Sequence, residues 1–374
     1  MARRRANGEG SIYQRKSDGR WVASISLGGM KRKHILGRTH AEVAAKKAAL
    51  LADRDKGIPI PTSTQTLGQY FDFWLDSVKE SVRPRAYESY ELNARRLKPL
   101  IGKAKLSTLS PAAIETAYGK LLQRGLSRRT VSQAHSVLHN ALEKAVEWGL
   151  IGRNPSQYAS VPRPERNEMK TLSEEQVRQL FVATKDDEFH ALWVVLASTG
   201  LRLGEALGLQ WDDIDFKEDR LFVRRALQRQ KGVGLLFVEP KTKKSRRTVY
   251  FPEGTGEVLQ AHRRKQLELR LRLGASWKDS NLVFCRGGKP LDSGAMSYWL
   301  KKALFAAGLP IIRVHDLRHT AATLHLERGE NPKVVQELLG HSTIVLTMDT
   351  YSHVTPALHA AAASKMQSLF THQR

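Results

Sequence analysis

Histidine, arginine and tyrosine side chains recur at close spacing between residues 313 and 351. His315, Arg318 and His319 lie within five positions of one another, and Tyr351 stands in a polar TMDTY setting at the end of the stretch. A guanidinium can bind two oxygens of one phosphate at once, and an imidazole can accept or donate a proton near neutral pH. A phenol can form a covalent intermediate. These residue types, gathered this closely, suit chemistry on a phosphate.

The spacing of these residues resembles the pattern of a known family. HDLRH at 315–319, followed by LLGH at 338–341 and then by Tyr351, resembles the active-site motifs of the tyrosine recombinase (phage integrase) family. Upstream, STGLRLGE at 198–205 resembles the family's first arginine motif, and PKTK at 240–243 resembles its β-hairpin lysine. Four motifs in the family's order, over about half of the chain, are specific evidence. The catalytic residues that this resemblance implies are Arg202, Lys241, His315, Arg318, His341 and Tyr351.

The resemblance implies a reaction centred on Tyr351. Its oxygen would attack the scissile phosphate of DNA, leaving a 3′-phosphotyrosyl linkage and a free 5′-hydroxyl. Because a tyrosine with an ordinary pKa of about 10 is a poor nucleophile, the site must assist it. Arg202 and Arg318 would hold the non-bridging oxygens, and His341 would donate a further hydrogen bond to the charge that develops there.

Proton transfer in this scheme is assigned to Lys241 and His315. Lys241 would protonate the leaving 5′-oxygen, and His315 would accept the proton of the tyrosine. Lys243 or Lys244, in the same basic run, could serve in place of Lys241. We expect no cofactor and no metal, because protein cations replace the ion and the sequence has neither a nucleotide-binding loop nor a carboxylate cluster.

Each of these residues has a plainer explanation when it is taken alone. An arginine after a helix is usually a surface charge, and a lone tyrosine usually packs with its hydroxyl in water. His315 and His319 could be structural histidines, and Glu205, one helical turn after Arg202, is expected to orient a partner. The order of the motifs, more than any single residue, therefore supports the catalytic assignment.

Composition narrows the class of protein. The 374 residues suffice for two or three domains, and 61 Lys and Arg against 37 Asp and Glu give a net charge of +24, which attracts nucleic acid. No apolar run is long enough for a membrane span, and the N-terminal MARRRANGEG lacks the apolar segment of a secretory signal. Cys285 is the sole cysteine, which excludes an intrachain disulfide. We expect a cytoplasmic nucleic-acid-binding protein without a membrane partner.

Residues 1–60 predict a small basic module, with 14 Lys and Arg against five Asp and Glu. Alternation from Trp21 to Leu27 predicts a strand with one buried face, and the flanking Gly-containing turns predict a three-stranded antiparallel sheet. Thr39 begins a helix, which gives a β-β-β-α module. A solvated basic face is one interpretation. The other is a resemblance to the arm-type DNA-binding domain of certain integrases, whose contact candidates here are Arg15, Lys16, Arg20, Lys31, Arg32 and Lys33.

The rest of the chain is predicted to form two larger domains. Residues 64–155 show helical spacing throughout and resemble the family's core-binding domain. Arg128 and Arg129, near a helix N-terminus, are either phosphate contacts or a solvated pair. Residues 166–374 would form the catalytic domain, in which 213–224 and 235–251 alternate like strands around a basic hairpin.

The predicted fold class is therefore multidomain α+β. It combines a small β-β-β-α arm-binding module (1–60), an all-α core-binding domain (64–155) and a mainly α catalytic domain with a small antiparallel sheet (166–374). Beyond Tyr351, apolar residues at helical spacing predict a tail helix, which by resemblance docks on a neighbouring protomer to join a homotetramer on DNA. A directionality factor and a host DNA-bending protein are candidate further partners.

Three functions compete for this sequence. The first is a site-specific recombinase, an integrase of a phage or mobile element that acts at attachment core and arm sites of double-stranded DNA. The second is a non-catalytic DNA-binding regulator or architectural protein, which would not need all of the motif residues intact. The third is a nicking enzyme that resembles type IB topoisomerases, against which the arm module and the tail argue.

Overall fold

The computed structural model describes residues 10–26, 32–55, 64–165, 169–239, 246–340 and 343–350. The chain divides into two compact units, which comprise residues up to 166 and residues from 167 onward. Within the described ranges, no helix is long and apolar enough to cross a membrane.

The first unit begins with a three-stranded antiparallel sheet. Strands β1 (Ser11–Gln14), β2 (Trp21–Ser26) and β3 (Arg32–Gly37) pair in chain order, and helix α1 (His40–Asp55) packs against them. The predicted β-β-β-α order is thus observed. The backbone N–H of Glu42 donates to Thr39 Oγ1 (3.2 Å), which places the predicted cap at the start of α1.

The prediction of a single buried face on β2 is wrong. Val22 and Ser24 are as fully buried as Ala23 and Ile25, although they point to the opposite side of the strand. β2 is the central strand of the sheet. Because it pairs with β1 and β3 along both edges and also packs against α1, it is less exposed than a strand at the edge of the sheet would be. Leu27, predicted to continue the strand, lies outside the described residues.

Four helices follow in the first unit. They are α2 (Leu67–Val78), α3 (Pro84–Ile101), α4 (Pro111–Gln123) and α5 (Arg128–Glu147). Polar side chains fix the start of three of them: Thr66 closes a capping box with Gln69, and the Ser110 and Ser127 side chains accept from the backbone of α4 and α5. One stripe of each helix faces a common core, whose fully buried members include Phe71, Leu97, Ile114, Leu138 and Leu142.

The second unit is built around a helix that is buried on all sides. Helix α7 (His190–Thr199) is apolar over its length, and Leu192, Trp193 and Val195 have no exposed surface. Around it lie further helices: α6 (Glu174–Ala183), α8 (Leu203–Leu207), α9 (Glu253–Leu273), α10 (Ser293–Ala306), α11 (Val314–Glu327), α12 (Pro332–Leu339) and α13 (Ile344–Thr350). α7 contacts α6, α8, α9 and α11, and it ends at Gly200.

Short strands cover one part of this unit. β4 (Ile214–Asp215), β5 (Arg220–Val223) and β8 (Arg247–Tyr250) form one antiparallel sheet in the order β4-β5-β8. A hairpin of β6 (Ala226–Gln230) and β7 (Gly234–Val238) forms a second ladder. A third, of two residues per strand, joins β9 and β10, which comprise Cys285–Arg286 and Lys289–Pro290.

This topology corrects the predicted basic hairpin. β7 pairs with β6 and β8 pairs with β5, so that the strands flanking residues 240–245 are not partners of each other in the described structure. Residues 240–245 themselves, with Lys241, lie outside the described residues. The sequence prediction missed β6 because Leu227 is its only buried residue, which leaves the alternation short.

The helical core of the first unit supports a stability prediction. We expect Leu138→Ala to lower the free energy of unfolding by about 2–5 kcal/mol, because it removes a fully buried side chain and leaves a cavity. Leu92→Ala is the matched control: it makes the same change in a helix at a position that is 44% exposed, and we expect an effect of about 0.5 kcal/mol or less. Urea titrations of both variants measure the difference, and equal losses would contradict the described core.

Candidate active site

Arg202 is held at the junction between α7 and α8. Gly200 ends α7 with a φ of 64°, a left-handed conformation in which an added Cβ would meet the Leu339 side chain at 2.8 Å. The turn delivers Arg202 to the start of α8, where its Nη1 donates to Glu205 Oε1 (2.8 Å) and its Nη2 donates to the Gly340 carbonyl (3.3 Å). The Arg202 side chain remains 41% exposed.

Arg318 lies on α11, between the ends of two other helices. Its Nη1 donates to the carbonyl of Gly200 (2.8 Å), at the end of α7. Its Nη2 donates to the carbonyl of Leu339 (2.5 Å), in the last turn of α12. With 2% exposure, Arg318 is among the most buried charged residues of the chain that the structure describes. The first and second arginine motifs thus meet at one place.

The C-terminal end of α12 is the common acceptor for three arginines. Gly340 ends this helix in the left-handed conformation, with a φ of 64°. The carbonyls of Leu338, Leu339 and Gly340 accept from Arg247, Arg318 and Arg202, respectively. The last carbonyls of a helix have no partner within the helix and carry the negative end of its dipole, so they attract cations.

Arg247, at the start of β8, joins this group through a buried carboxylate. Its Nη1 and Nη2 donate to Glu205 Oε1 (3.2 Å) and Oε2 (2.9 Å), and its Nε donates to the Leu338 carbonyl (2.8 Å). The side chains of Arg247 and Glu205 are 7% and 9% exposed. Burial alone would raise the pKa of Glu205, but the hydrogen bonds and charge of Arg247, with the charge of Arg202, outweigh it and lower the pKa to about 2.

Sequence reasoning did not identify Arg247 as part of the site. It is one basic residue in a run of several, and its neighbours in that run give no reason to choose it. One signal was available: Arg247 is two residues before the buried Val249, which places both on the same face of β8. An arginine on the inward face of a strand needs a buried anionic or carbonyl partner.

His315 and His319 lie one turn apart on α11 with their rings in contact. The ring centroids are 4.9 Å apart and nearly perpendicular, at 87°. Partial burial, followed by the charge of Arg318, lowers the pKa of His315. Burial, followed by the neighbouring His315, lowers the pKa of His319 to about 4. Both imidazoles are therefore neutral at pH 7, the state in which a histidine can accept a proton.

The structure places three of the six predicted catalytic residues close together. Arg202 and Arg318 bind consecutive carbonyls of one helix end, and their charges both act on His315. The other three, Lys241, His341 and Tyr351, lie outside the described residues. His341 directly follows the carbonyl of Gly340 that Arg202 binds, and α13 ends at the residue before Tyr351.

The DNA-contact candidates occupy exposed positions for the most part. Arg15 and Arg20 share Asp18 as a partner, and Nε of Arg15 donates to Oδ1 of Asp18 at 2.8 Å. On β3, Arg32 is exposed and the next residue, Lys33, is half-buried, so the two point to opposite faces of the sheet. Lys16 is exposed, and Lys31 lies outside the described residues. Arg128 and Arg129 are the exposed first residues of α5, directly after the cap Ser127.

No group of three or more histidine, cysteine, aspartate or glutamate side chains is arranged to hold a metal ion in the described ranges. The buried anions of the site, Glu205 and Asp316, are instead paired with arginines: Asp316 accepts from Nη2 of Arg313 at 2.7 Å. Guanidinium groups are thus the cations that pair with these two carboxylates in the described structure.

Two family models match this chain. One, described as the phage integrase family, matches residues 170–357, and one described as the phage integrase N-terminal SAM-like domain matches residues 66–122. A protein of Caldanaerobacter subterraneus subsp. tengcongensis, called tyrosine recombinase XerC-like, is 33% identical over 365 residues, which cover 92% of this chain and 93% of that protein.

Solved structures share the fold. The Tn1549 transposon integrase, in complex with a circular intermediate DNA, superposes with a TM-score of 0.70 at 22% identity, over 81% of this chain and 99% of that chain. A lambda integrase tetramer bound to a Holliday junction superposes with a TM-score of 0.57 at 18% identity, over 92% of this chain and 96% of that chain.

The contact between Gly340 and Arg247 can be tested by substitution. A Cβ at position 340 would lie 3.1–3.2 Å from three atoms of the Arg247 side chain, which its hydrogen bonds hold in place. Gly308, with a similar φ of 67° and open space around it, is the matched control. We expect Gly308→Ala to cost about 1 kcal/mol from its backbone conformation alone. Gly340→Ala should cost about 1 kcal/mol more, because at least one Arg247 hydrogen bond is displaced.

Thermal and urea unfolding of the two glycine variants measures this difference. Equal destabilisation by the two substitutions would show that Arg247 is free to move away, contrary to the described geometry.

Proposed function

The chain belongs to the phage integrase family, and on that premise we propose that it cuts and rejoins DNA strands through a 3′-phosphotyrosyl intermediate. The observation that best supports this chemistry is the cluster at the end of α12. Three guanidiniums and one carboxylate leave two net positive charges there, and the adjacent histidines are neutral. A fixed positive site of this size suits a phosphate whose negative charge grows in the transition state.

The two motif arginines have different access to that phosphate. Arg202, with 41% of its side chain exposed, is the guanidinium that meets a non-bridging oxygen first. Arg318, which is 2% exposed and bonds the adjacent Leu339 carbonyl, contributes its charge from within the protein. His341, next to Gly340, donates a further hydrogen bond to the same phosphoryl group. These contacts stabilise the five-coordinate transition state more than the substrate, which is the requirement for a faster reaction.

Tyr351 supplies the nucleophile and His315 accepts its proton. The lowered pKa of His315 supports this role, because the imidazole must be neutral before it can act as a base. As the bond between the tyrosine oxygen and phosphorus forms, the bond from phosphorus to the 5′-oxygen breaks. Lys241 donates a proton to that oxygen, which leaves as a 5′-hydroxyl.

Rejoining runs the same steps in reverse. The phosphotyrosyl bond conserves the energy of the cleaved phosphodiester, so no nucleotide cofactor is consumed. When the 5′-hydroxyl of a second duplex attacks in place of the original one, strands are exchanged. Lys241 then accepts the proton that it donated, and His315 returns one to Tyr351.

We further propose three working modules and a DNA-bound assembly. Residues 1–60 would bind arm sites, residues 64–155 core sites, and residues 166–374 would carry the chemistry. The Tn1549 integrase is bound to a circular intermediate DNA and the lambda integrase to a Holliday junction as a tetramer. By analogy, this chain acts as a homotetramer on two duplexes in the cytoplasm of a bacterial host, with a directionality factor and a DNA-bending protein as candidate partners.

Covalent capture of DNA tests the nucleophile. We would incubate wild-type protein and Tyr351→Phe with a nicked duplex that carries the core site, whose cleaved end diffuses away. A denaturing gel should show a DNA-linked band for wild type alone, since phenylalanine has no oxygen to attack the phosphate, while gel shifts show that both proteins bind. Binding by both without any covalent band would favour the non-catalytic regulator, and a band from both would mean that a different residue attacks.

Replacement of the leaving oxygen tests Lys241. A thiolate leaves without being protonated, because its pKa is well below that of an alcohol. Lys241→Ala should slow cleavage of the ordinary substrate by about 10²–10⁴-fold. On a substrate with sulfur at the 5′-bridging position, the same variant should approach the wild-type rate.

Three further variants make this test specific. Lys243→Ala and Lys244→Ala are the matched controls. If the sulfur substrate restores the cleavage rate of one of these variants and not that of Lys241→Ala, the proton donor is that lysine. Arg202→Met should remain slow on both substrates, because its deficit concerns the non-bridging oxygens.

A further inference from the structure

The carboxylate of Glu205 has four hydrogen-bond donors around it. Oε1 accepts from Nη1 of Arg202 (2.8 Å) and Nη1 of Arg247 (3.2 Å). Oε2 accepts from the backbone N–H of Arg202 (3.0 Å) and Nη2 of Arg247 (2.9 Å). Since a carboxylate offers about four lone-pair directions, Glu205 has no capacity for a further bond. Of these four acceptor directions, the Arg202 guanidinium therefore occupies only one.

We propose that Arg247 is a positioning residue for strand cleavage: by occupying both oxygens of Glu205, it limits Arg202 to a single bond with that carboxylate and leaves its guanidinium available to the phosphate. This role rests on the proposed function of Arg202 as a phosphate ligand. It adds a residue from outside the recognised motifs to the machinery of the reaction.

Arg247 is placed to act on Arg202 and not on DNA. Its side chain is only 7% exposed, and all three of its nitrogens donate to partners within the protein. Its backbone is fixed as well, because Arg247 pairs with Val223 in the β5–β8 ladder. A guanidinium anchored to a strand, a carboxylate and a helix end cannot extend to a phosphate. Arg202, by contrast, has an exposed side chain and a long, 3.3 Å bond to the Gly340 carbonyl that it can exchange for a better acceptor.

Loss of Arg247 would redirect Arg202. Paired hydrogen bonds from one guanidinium to both oxygens of a carboxylate are among the strongest polar contacts in proteins. With Arg247 absent, Glu205 would have two vacant acceptor directions, and Arg202 would be the cation that bonds it among the residues that the structure describes. Arg202 would release Gly340 and turn both Nη atoms toward Glu205. The phosphate would then lose its exposed ligand, although Arg202 itself is intact.

This mechanism predicts an unusual result in a double-variant experiment. In the full-length chain, Arg247→Met should slow covalent capture of the nicked duplex by about 10–100-fold at saturating DNA, since a displaced catalytic group commonly costs this much. DNA affinity should change by less than about threefold. Adding Glu205→Gln to Arg247→Met should restore at least about fivefold of the lost rate, because a neutral amide holds Arg202 less strongly than a carboxylate does.

Control variants separate positioning from stability. Arg246→Met removes the neighbouring arginine, which is exposed and, in the described part of the chain, paired with the exposed Glu239, and it should leave the capture rate unchanged. Arg247→Lys keeps the charge, but its ammonium cannot bridge both oxygens of Glu205 and the Leu338 carbonyl, so its rate should be intermediate. If Arg247→Met melts below the assay temperature, Arg247→Lys with and without Glu205→Gln gives the same comparison in a charged background.

The outcomes distinguish this inference from the function on which it rests. A double variant as slow as, or slower than, Arg247→Met would reduce Arg247 to a structural role and overturn the proposal. A wild-type rate for Arg247→Met would do the same. Absence of any covalent product from wild-type protein would instead overturn the recombinase chemistry itself, and the positioning role with it.

Discussion

The cationic site depends on one electrostatic constraint, the need of a helix end for donors. The last carbonyls of α12 have no partners within the helix, and the chain supplies guanidiniums from three distant segments to satisfy them. Each bond satisfies an otherwise unpaired acceptor and also holds a cation at the site that we propose for the DNA phosphate. Three like charges would repel one another, and the buried carboxylate of Glu205, which pairs with Arg202 and Arg247, offsets one of the three charges. The site is therefore stable before substrate arrives and still retains net positive charge.

The same constraint explains how elements far apart in sequence are held in fixed positions relative to one another. Arg318 bonds both the end of α7 and the end of α12, while Arg247 fixes the start of β8 to α12. Breaking a buried pair by removing one partner is costly, because it leaves an uncompensated charge. The helix α7 provides the support, since residues 191–197 are all buried and the carbonyl of Gly200 at its end accepts from Arg318.

Much of this arrangement could be predicted from sequence because its signals are local. The cap at Thr39, the order of the first three strands and the helical spacing of residues 64–155 all depend on residues within a few positions. The partners of Arg247 could not be found in this way, because they lie 42 and 91 residues away along the chain. β6 was missed for a different reason: its partner β7 is close in sequence, but Leu227 is the single buried residue of β6, too few to show an alternating pattern.

The use of main-chain carbonyls as acceptors also has an evolutionary consequence. A carbonyl is present whatever side chain the residue carries, so mutations at Leu338 or Leu339 that preserve the helix leave the anchors of Arg247 and Arg318 in place. Gly340 is different, because its left-handed backbone and its contact with Arg247 restrict it to glycine. Sequence drift is therefore permitted around this cluster and restricted at Gly200 and Gly340, whose left-handed backbones and close contacts favour glycine. Such an apparatus can keep its geometry while the surfaces that choose a DNA target diverge.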